Sequence, residues 1–180
     1  MSRIRITGGV WRSRVISVID APGLRPTPDR VRETLFNWLG QDLSGLVCLD
    51  LFAGSGILGF EAASRGAQSV TLIERDQGAL AALRKNAAAL GGQRLAVIQA
   101  DALKFAASVG DQGHRFDLVF LDPPYRQGWL ERLWALLPAL VAPGGRVYVE
   151  SEAPVMPPAP WVAAKQGRAG QVCYHLLERE

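Results

Sequence analysis

The sequence is short of several residue types, and each shortage narrows what the chain can be. It has two cysteines, Cys48 and Cys173, far apart and in no C-x-x-C pair, so neither a disulfide scaffold nor a thiolate zinc site is indicated. Both are read as buried, reduced thiols, Cys48 within an apolar strand pattern. Its two histidines, His114 and His175, form no ligand pattern, and no metal is expected. No stretch reaches the roughly 18 apolar residues of a membrane span. The best, Trp134 to Val141, is short and broken by Pro138. The opening Met1-Ser2-Arg3-Ile4-Arg5 is basic but lacks the apolar core and cleavage site of a signal peptide. A cytoplasmic location with no membrane partner is the expectation. Lysine is also scarce, three against 17 arginines, and a planar guanidinium forks onto phosphate better than an ammonium does.

What is present has a definite layout. A chain of 180 residues suits one domain with a sizeable core, or one domain plus a small appendage. The net charge of +3 is unevenly placed. Residues 1–33 hold seven arginines against Asp20, Asp29 and Glu33, a net of +4, leaving −1 for the other 147 residues. The positive excess therefore sits in the first fifth of the chain, as a polyanion-binding segment requires; an ordinary solvated surface is the competing explanation. Division at residue 40 follows, with a basic extension over 1–40 and a catalytic domain over 41–180.

Short strands are predicted at Ile4–Gly9 and Val15–Ile19, then a helix with Thr27 as N-cap, Pro28 at its first position and Asp29 in its first turn. Its apolar stripe is Val31, Leu35, Trp38 and Leu39. From residue 46 strands and helices alternate. Strands are expected at Leu46–Leu51, Ser69–Ile73, Leu95–Gln99, Phe116–Leu121 and Arg146–Val149. Helices are expected through Ala63, over Gln77–Leu90, near Asp101–Ser108 and over Trp129–Val141. This pattern implies an α/β fold with a parallel sheet covered on both faces. Trp161–Lys165 and Val172–Leu177, linked by Gln166 to Gly170, suit a closing antiparallel hairpin. Ala153 to Pro160 is a proline-rich connector.

The first strand of the alternating part runs into Asp50-Leu51-Phe52-Ala53-Gly54-Ser55-Gly56-Ile57-Leu58-Gly59, which contains G-x-G-x-x-G, and Glu74 ends the next strand. The glycine pattern alone would suggest NAD. Asp50 argues otherwise, because a carboxylate at the strand tip is ill placed for a pyrophosphate and well placed for a cation. S-adenosylmethionine carries a sulfonium and an ammonium. Glu74 can accept both ribose hydroxyls. Asp101 can accept from an adenine amino group, with the Ala102 amide facing the ring. For each acid the plain alternative is a helix cap or a surface charge.

Asp122-Pro123-Pro124-Tyr125, at the tip of the fourth strand, is the most specific signal. Two prolines fix two consecutive φ angles and remove two amide donors, leaving carbonyls free. An exocyclic base amine is a poor nucleophile because its lone pair is delocalised into the ring. Hydrogen bonds from its protons to Asp122 and the Pro123 carbonyl would draw the nitrogen towards tetrahedral geometry. Tyr125 can stack on a base withdrawn from its helix or loop. Orientation contributes about 7–11 kcal/mol to such a reaction. These residues do not separate guanine N2 from adenine N6 or cytosine N4.

With these motifs in place the chain resembles the 16S ribosomal RNA guanine-N2 methyltransferases of the RsmD type over nearly its whole length. Arg3-Ile4-Arg5-Ile6-Thr7-Gly8-Gly9, Leu24 to Asn37, Asp50 to Gly56, Glu61 to Ala67, Leu121 to Tyr125 and Ala169-Gly170-Gln171 carry the likeness. Arg25-Pro26-Thr27 joined to Arg30-Val31-Arg32-Glu33 is its narrowest element. Ala63 departs from the family pattern, where leucine is commoner. The resemblance implies a Rossmann-like class I methyltransferase fold, a mostly parallel seven-stranded sheet with an antiparallel last hairpin, preceded by a short N-terminal β-hairpin and helix. It implies S-adenosylmethionine as cofactor and S-adenosylhomocysteine as product. The implied substrate is a guanine N2 of 16S rRNA within the small ribosomal subunit or an assembly intermediate. Asp122, Pro123, Pro124 and Tyr125 would be catalytic. Cofactor contacts would come from Thr27, Arg30, Asp50, Phe52, Ala53, Gly54, Ser55, Gly56, Glu74, Arg75, Asp101, Ala102 and Asp122. Arg3, Arg5, Arg12, Arg14, Arg25 and Arg32 would meet RNA. Nothing demands a dimer, so a monomer is expected.

Other readings use some of the same residues. A DNA amino-methyltransferase would share the loop and tetrapeptide but usually needs more sequence to recognise its site. Methylation of a protein amide normally goes with Asn in place of Asp122. An NAD-dependent oxidoreductase rests on the glycines alone. A non-catalytic RNA-binding assembly factor would have no need to keep Asp50, Glu74 and the tetrapeptide.

Overall fold

A computed structural model describes residues 1–20 and 26–180. Leu24 and Arg25, which belong to the likeness above, lie outside the described residues, so the expected RNA contact of Arg25 has no structural counterpart here.

The chain opens with β1 (Ser2–Arg5) and β2 (Val15–Val18), an antiparallel pair, followed by α1 (Asp29–Leu39). The alternating part runs β3 (Val47–Asp50), α2 (Ile57–Ser64), β4 (Ser69–Glu74), α3 (Gln77–Ala89), β5 (Leu95–Gln99), α4 (Ala102–Asp111) and β6 (Phe116–Leu121). It continues with α5 (Trp129–Leu133), α6 (Leu137–Leu140), β7 (Val141–Ser151), β8 (Trp161–Ala169) and β9 (Val172–Arg179). Seven strands form one sheet in the order β5-β4-β3-β6-β7-β9-β8. β3 to β7 are parallel, and β9 runs antiparallel to both β7 and β8. The α/β, Rossmann-like expectation with its closing hairpin holds.

Both sheet faces are buried, which is why the central strands are apolar throughout rather than alternating. Alternate residues still go to opposite sides. Cys48, Leu118, Phe120 and Tyr148 join the N-terminal hairpin, α1, α2 and α3 in one core. Leu49, Val119, Leu121, Val147 and Val149 join α4, α5 and α6 in the other. Both cysteines are buried and unpaired, and burial pushes the Cys48 thiol up to about 12.

The N-terminal hairpin is stitched to the sheet-covering helices. Asn86 on α3 accepts from the Ser17 amide at 3.3 Å and donates to its carbonyl at 2.8 Å, satisfying one edge of β2. Ile4, Ile6, Ile16 and Val18 enter the same core as Phe60 and Leu72. At the turn, Gly9 has φ +76°, and a Cβ there would lie 2.0 Å from the Ser64 carbonyl oxygen. Only glycine lets the turn approach α2 so closely.

Three local expectations are corrected. Thr27 does not cap α1; Pro28 holds the N-cap position, and the Thr27 hydroxyl instead donates to Glu150 at 2.9 Å. The single helix over Trp129–Val141 is two short ones, with Val141 opening β7. Pro138 lacks the amide that would bond Trp134, and its ring would clash with that carbonyl. The link of the closing hairpin is tighter than expected, since β8 runs on to Ala169 and only Gly170-Gln171 turn the chain.

Candidate active site

In an open parallel sheet, ligands gather where neighbouring strands send their connections to opposite faces. Here that point lies between β3 and β6, which neighbour each other while β4 and β7 flank them. Asp50 ends β3, Glu74 ends β4, Asp122 follows β6 and Glu150 lies near the end of β7. The sheet thus brings four acids from distant parts of the chain to one edge. They line a cleft of about 1160 Å³. That exceeds the roughly 300–1000 Å³ of an ordinary small-ligand pocket, leaving room for a cofactor and a base together.

Asp50 is 1% exposed. Its Oδ2 accepts from the Gly59 amide at 3.2 Å, while Oδ1 is buried with no hydrogen-bond partner. Burial, reinforced by the charges of Glu74 and Glu150 and opposed by the Gly59 and Phe52 amides, pushes this carboxyl up to about 7. An unpaired buried carboxylate is costly, and a ligand cation is the partner that would relieve it.

The glycine loop turns at Gly56, whose φ is +83° and whose absent Cβ would lie 2.4 Å from Leu83. Glu74 is held from behind: Oε2 accepts from the Gly54 amide at 2.9 Å, and Oε1 from the amides of Arg75 and Asp76 at 3.0 Å each. The carboxylate is thereby aimed across the loop. Asp101 caps α4, its Oδ1 accepting from the Lys104 amide at 3.0 Å.

At the tetrapeptide, Pro123 is buried while Pro124 and Tyr125 are exposed. Asp122 is half-buried and leaves β6 beside Glu150 of β7, since Leu121 and Val149 are register partners. Desolvation, then the charges of Glu150 and Asp50, raises the Asp122 carboxyl well above the usual carboxylate range. Glu150 is also raised by burial, but hydrogen bonds from Tyr148, Thr27 and Asp122 hold it down. Both carboxyls are therefore held above their ordinary range, Asp122 the more strongly of the two. Beside it, Phe52 meets Trp129 edge to face at 5.3 Å between ring centroids.

A family model described as Conserved hypothetical protein 95 matches residues 4–178. The chain is 47% identical to Ribosomal RNA small subunit methyltransferase D of Escherichia coli strain K12, over 99% of this chain and 91% of that protein. It belongs to that methyltransferase family. The relative of the same name from Haemophilus influenzae strain Rd is 42% identical, over 97% of this chain and 93% of its own. A solved structure of a putative methyltransferase from Escherichia coli superposes with a TM-score of 0.88, at 46% identity and 99% coverage of both chains.

Of the residues expected at the cofactor, this family member brings Thr27, Asp50, Phe52, Ala53, Gly54, Ser55, Glu74, Arg75, Ala102 and Asp122 to the cleft wall. The rest of the tetrapeptide, Pro123, Pro124 and Tyr125, joins them. Arg30, Gly56 and Asp101 do not line it: Arg30 is exposed on α1, Gly56 lies beneath the turn, and the bonded Asp101 oxygen serves its own helix.

Among the arginines expected at RNA, Arg3, Arg5, Arg12 and Arg14 are exposed. Arg32 is a correction. It is fully buried, donating to the Thr27 carbonyl at 3.0 Å and the Arg5 carbonyl at 2.8 Å and pairing with Asp29 and Glu61. Removing so well-satisfied a guanidinium from the interior would leave Glu61 and two carbonyls without it, so it holds the fold rather than a phosphate.

Sequence reasoning missed Glu150, Trp129, Arg168 and Gln171, all on the cleft wall. Glu150 had a usable signal, an acid directly after an apolar strand, as at Asp50 and Glu74. Among the described residues no helix is long and apolar enough to cross a membrane.

Proposed function

We propose that this family member transfers a methyl group from S-adenosylmethionine to the exocyclic N2 of a guanine in 16S rRNA, presented in assembled or partly assembled small ribosomal subunits. The observation that carries the reading is an acid-lined cleft, deep enough for cofactor and base, ending in Asp122-Pro123-Pro124-Tyr125. Its relatives' names support the substrate class. A cytoplasmic, monomeric enzyme that needs no metal goes with that reading. The same names do not favour a DNA methyltransferase or a non-catalytic assembly factor.

The residues fit the cofactor. Asp50, with an oxygen lacking any partner, suits its positive charge, Glu74 its ribose hydroxyls, and Ala102 its adenine ring. When bound, S-adenosylmethionine supplies an electrophilic methyl carbon on a cationic sulfur. The chain's own residues do the rest. The Pro123 carbonyl and the free oxygen of Asp122 accept the two amine protons, turning the nitrogen lone pair out of conjugation. Tyr125 presents its ring to the base, and the pair formed by Asp122 and Glu150 holds negative charge where the nitrogen becomes positive. Phosphate contacts from Arg3, Arg5, Arg12 and Arg14 give affinity without choosing the base.

The deciding experiment offers labelled cofactor to unmodified small subunits, naked rRNA and duplex DNA, and digests the product to nucleosides. N2-methylguanosine from subunits is expected, and Asp122→Ala should reduce the rate about 1000-fold or more while binding cofactor. Methylated adenine or cytosine in DNA, with nothing in RNA, would overturn the assignment.

A further inference from the structure

Glu150 belongs to neither the glycine loop nor the tetrapeptide, yet it is a buried and firmly held acid of the cleft. It is 4% exposed, and one oxygen, Oε1, accepts from the Tyr148 hydroxyl at 2.7 Å and from the Thr27 hydroxyl at 2.9 Å. Those donors come from β7 itself and from the segment leading into α1, so the carboxyl is fixed from two sides. Its other neighbour is Asp122: Leu121 and Val149 are register partners on β6 and β7, so the next residues, Asp122 and Glu150, leave adjacent strand tips side by side on the cleft wall. Two ionised carboxylates so placed repel each other, and one proton held between them relieves that repulsion.

The surrounding groups keep that proton in place. Asp50 adds negative charge from β3, the Tyr148 hydroxyl donates to Glu150, and Tyr174 of β9 is the register partner of Glu150. The cleft's arginines, Arg75, Arg126 and Arg168, are exposed, and Arg126 is engaged by Glu152. No cation is therefore buried against the pair among the described residues.

We propose that Glu150 is a positioning residue for methyl transfer: fixed by Tyr148 and Thr27, it shares one proton with Asp122, and the two carboxyls together take up the proton released by the methylated amine. The inference rests on the amine-methylation reading above. With one proton the pair carries a single negative charge, and the outward oxygen of Asp122 is an acceptor for the substrate amine. After transfer the nitrogen holds one hydrogen too many and a positive charge. Its N–H bond breaks, the electron pair stays on nitrogen, and the proton goes to Asp122 as the shared proton passes to Glu150. The pair ends neutral with two protons, one of which leaves to water when the base withdraws. The pair thus starts with one negative charge and ends with none, as the positive charge on nitrogen is discharged.

Glu150→Gln tests this because the amide can still accept from Tyr148 and Thr27 and donate to Asp122, but cannot share a proton. The first readout needs neither cofactor nor RNA: carbon NMR titration of the side-chain carboxyls, with Asp122→Asn used for assignment. Asp122 is expected to titrate above the usual carboxylate range in the parent protein and about one pH unit or more lower in Glu150→Gln. The second is the pH–rate profile of methyl transfer. The variant's kcat should fall about 10- to 100-fold and its acid limb move to lower pH, with KM for RNA nearly unchanged and partial rescue in Glu150→Asp. Identical Asp122 titrations in the two proteins, or an unaltered profile and kcat in Glu150→Gln, would overturn the proposal. If the parent protein methylates no amine, the functional reading fails, and the titration still decides whether the carboxyls share a proton.

Discussion

Among the described residues lie two groups of buried charge, and they are built on opposite plans. Beneath the N-terminal hairpin, Glu61 on α2 sits between Arg32 at 3.6 Å and Arg65 at 3.4 Å, and its two oxygens take the Thr7 amide at 2.6 Å and hydroxyl at 2.5 Å. Arg65 also donates to Gln41 at 2.8 Å and lies over the Phe36 ring at 4.1 Å. Both signs are present and each polar atom has work within the fold. At the cleft, Asp50, Asp122 and Glu150 gather with one sign only and with an Asp50 oxygen that bonds nothing. The first group is complete as the protein stands. The second becomes complete only when something cationic enters, and that incompleteness marks the functional site.

The comparison can be broken first at the complete group. Glu61→Ala leaves Arg32 and Arg65 buried without their shared partner and should lower stability by about 3–5 kcal/mol in urea unfolding. A loss under about 1 kcal/mol would mean that the cluster does not hold the hairpin and α1 to the sheet.

At the incomplete group the sign should reverse. Folding raises the Asp50 carboxyl from 3.8 to about 7, so the folded protein holds this proton more tightly than the unfolded chain does. Its contribution to stability is full below pH 3.8 and is lost as pH rises through about 7. Asp50→Asn should therefore stabilise the cofactor-free protein at about pH 8, by up to about 4 kcal/mol, and weaken S-adenosylmethionine binding about tenfold or more. Calorimetry across pH sharpens the point, since affinity of the parent protein should climb as pH passes about 7 and that of the variant should stay level. A destabilised variant with full affinity would show that Asp50 belongs with the structural charges after all.

The smallest effect is expected on the outside. Arg3→Glu together with Arg5→Glu reverses charge on exposed β1 side chains and should weaken RNA binding about tenfold, flattening its salt dependence by about two ions. Cofactor affinity and unfolding should not move. Unchanged RNA binding would take the hairpin out of the interface.

The strand tips were legible because a parallel sheet imposes its own rule: apolar run, then acid or glycine, at one edge. Asp50, Glu74 and Asp122 followed it. Glu150 escapes the rule because the apolar pattern reads as ending at Val149, and one residue further decides whether an acid is a loop charge or a buried one. Arg32 was misread for a related reason. Its seven-arginine neighbourhood suggested a phosphate, whereas its partner Glu61 lies 29 positions away and nothing local announces it. The tetrapeptide could be read for chemistry from residue types alone, but not its contact with Glu150.

The sequence by itself determined the α/β alternation, the edge of the sheet at which chemistry occurs, and the residue types able to hold a cationic cofactor and an amine. Those follow from periodicity, strand tips and backbone chemistry, which are local. Only the tertiary structure decided which charges are neutralised inside the fold and which are left for a ligand. Burial and pairing depend on side chains brought together across the sheet, and a carboxylate's proton affinity is set by those neighbours rather than by its place in the chain.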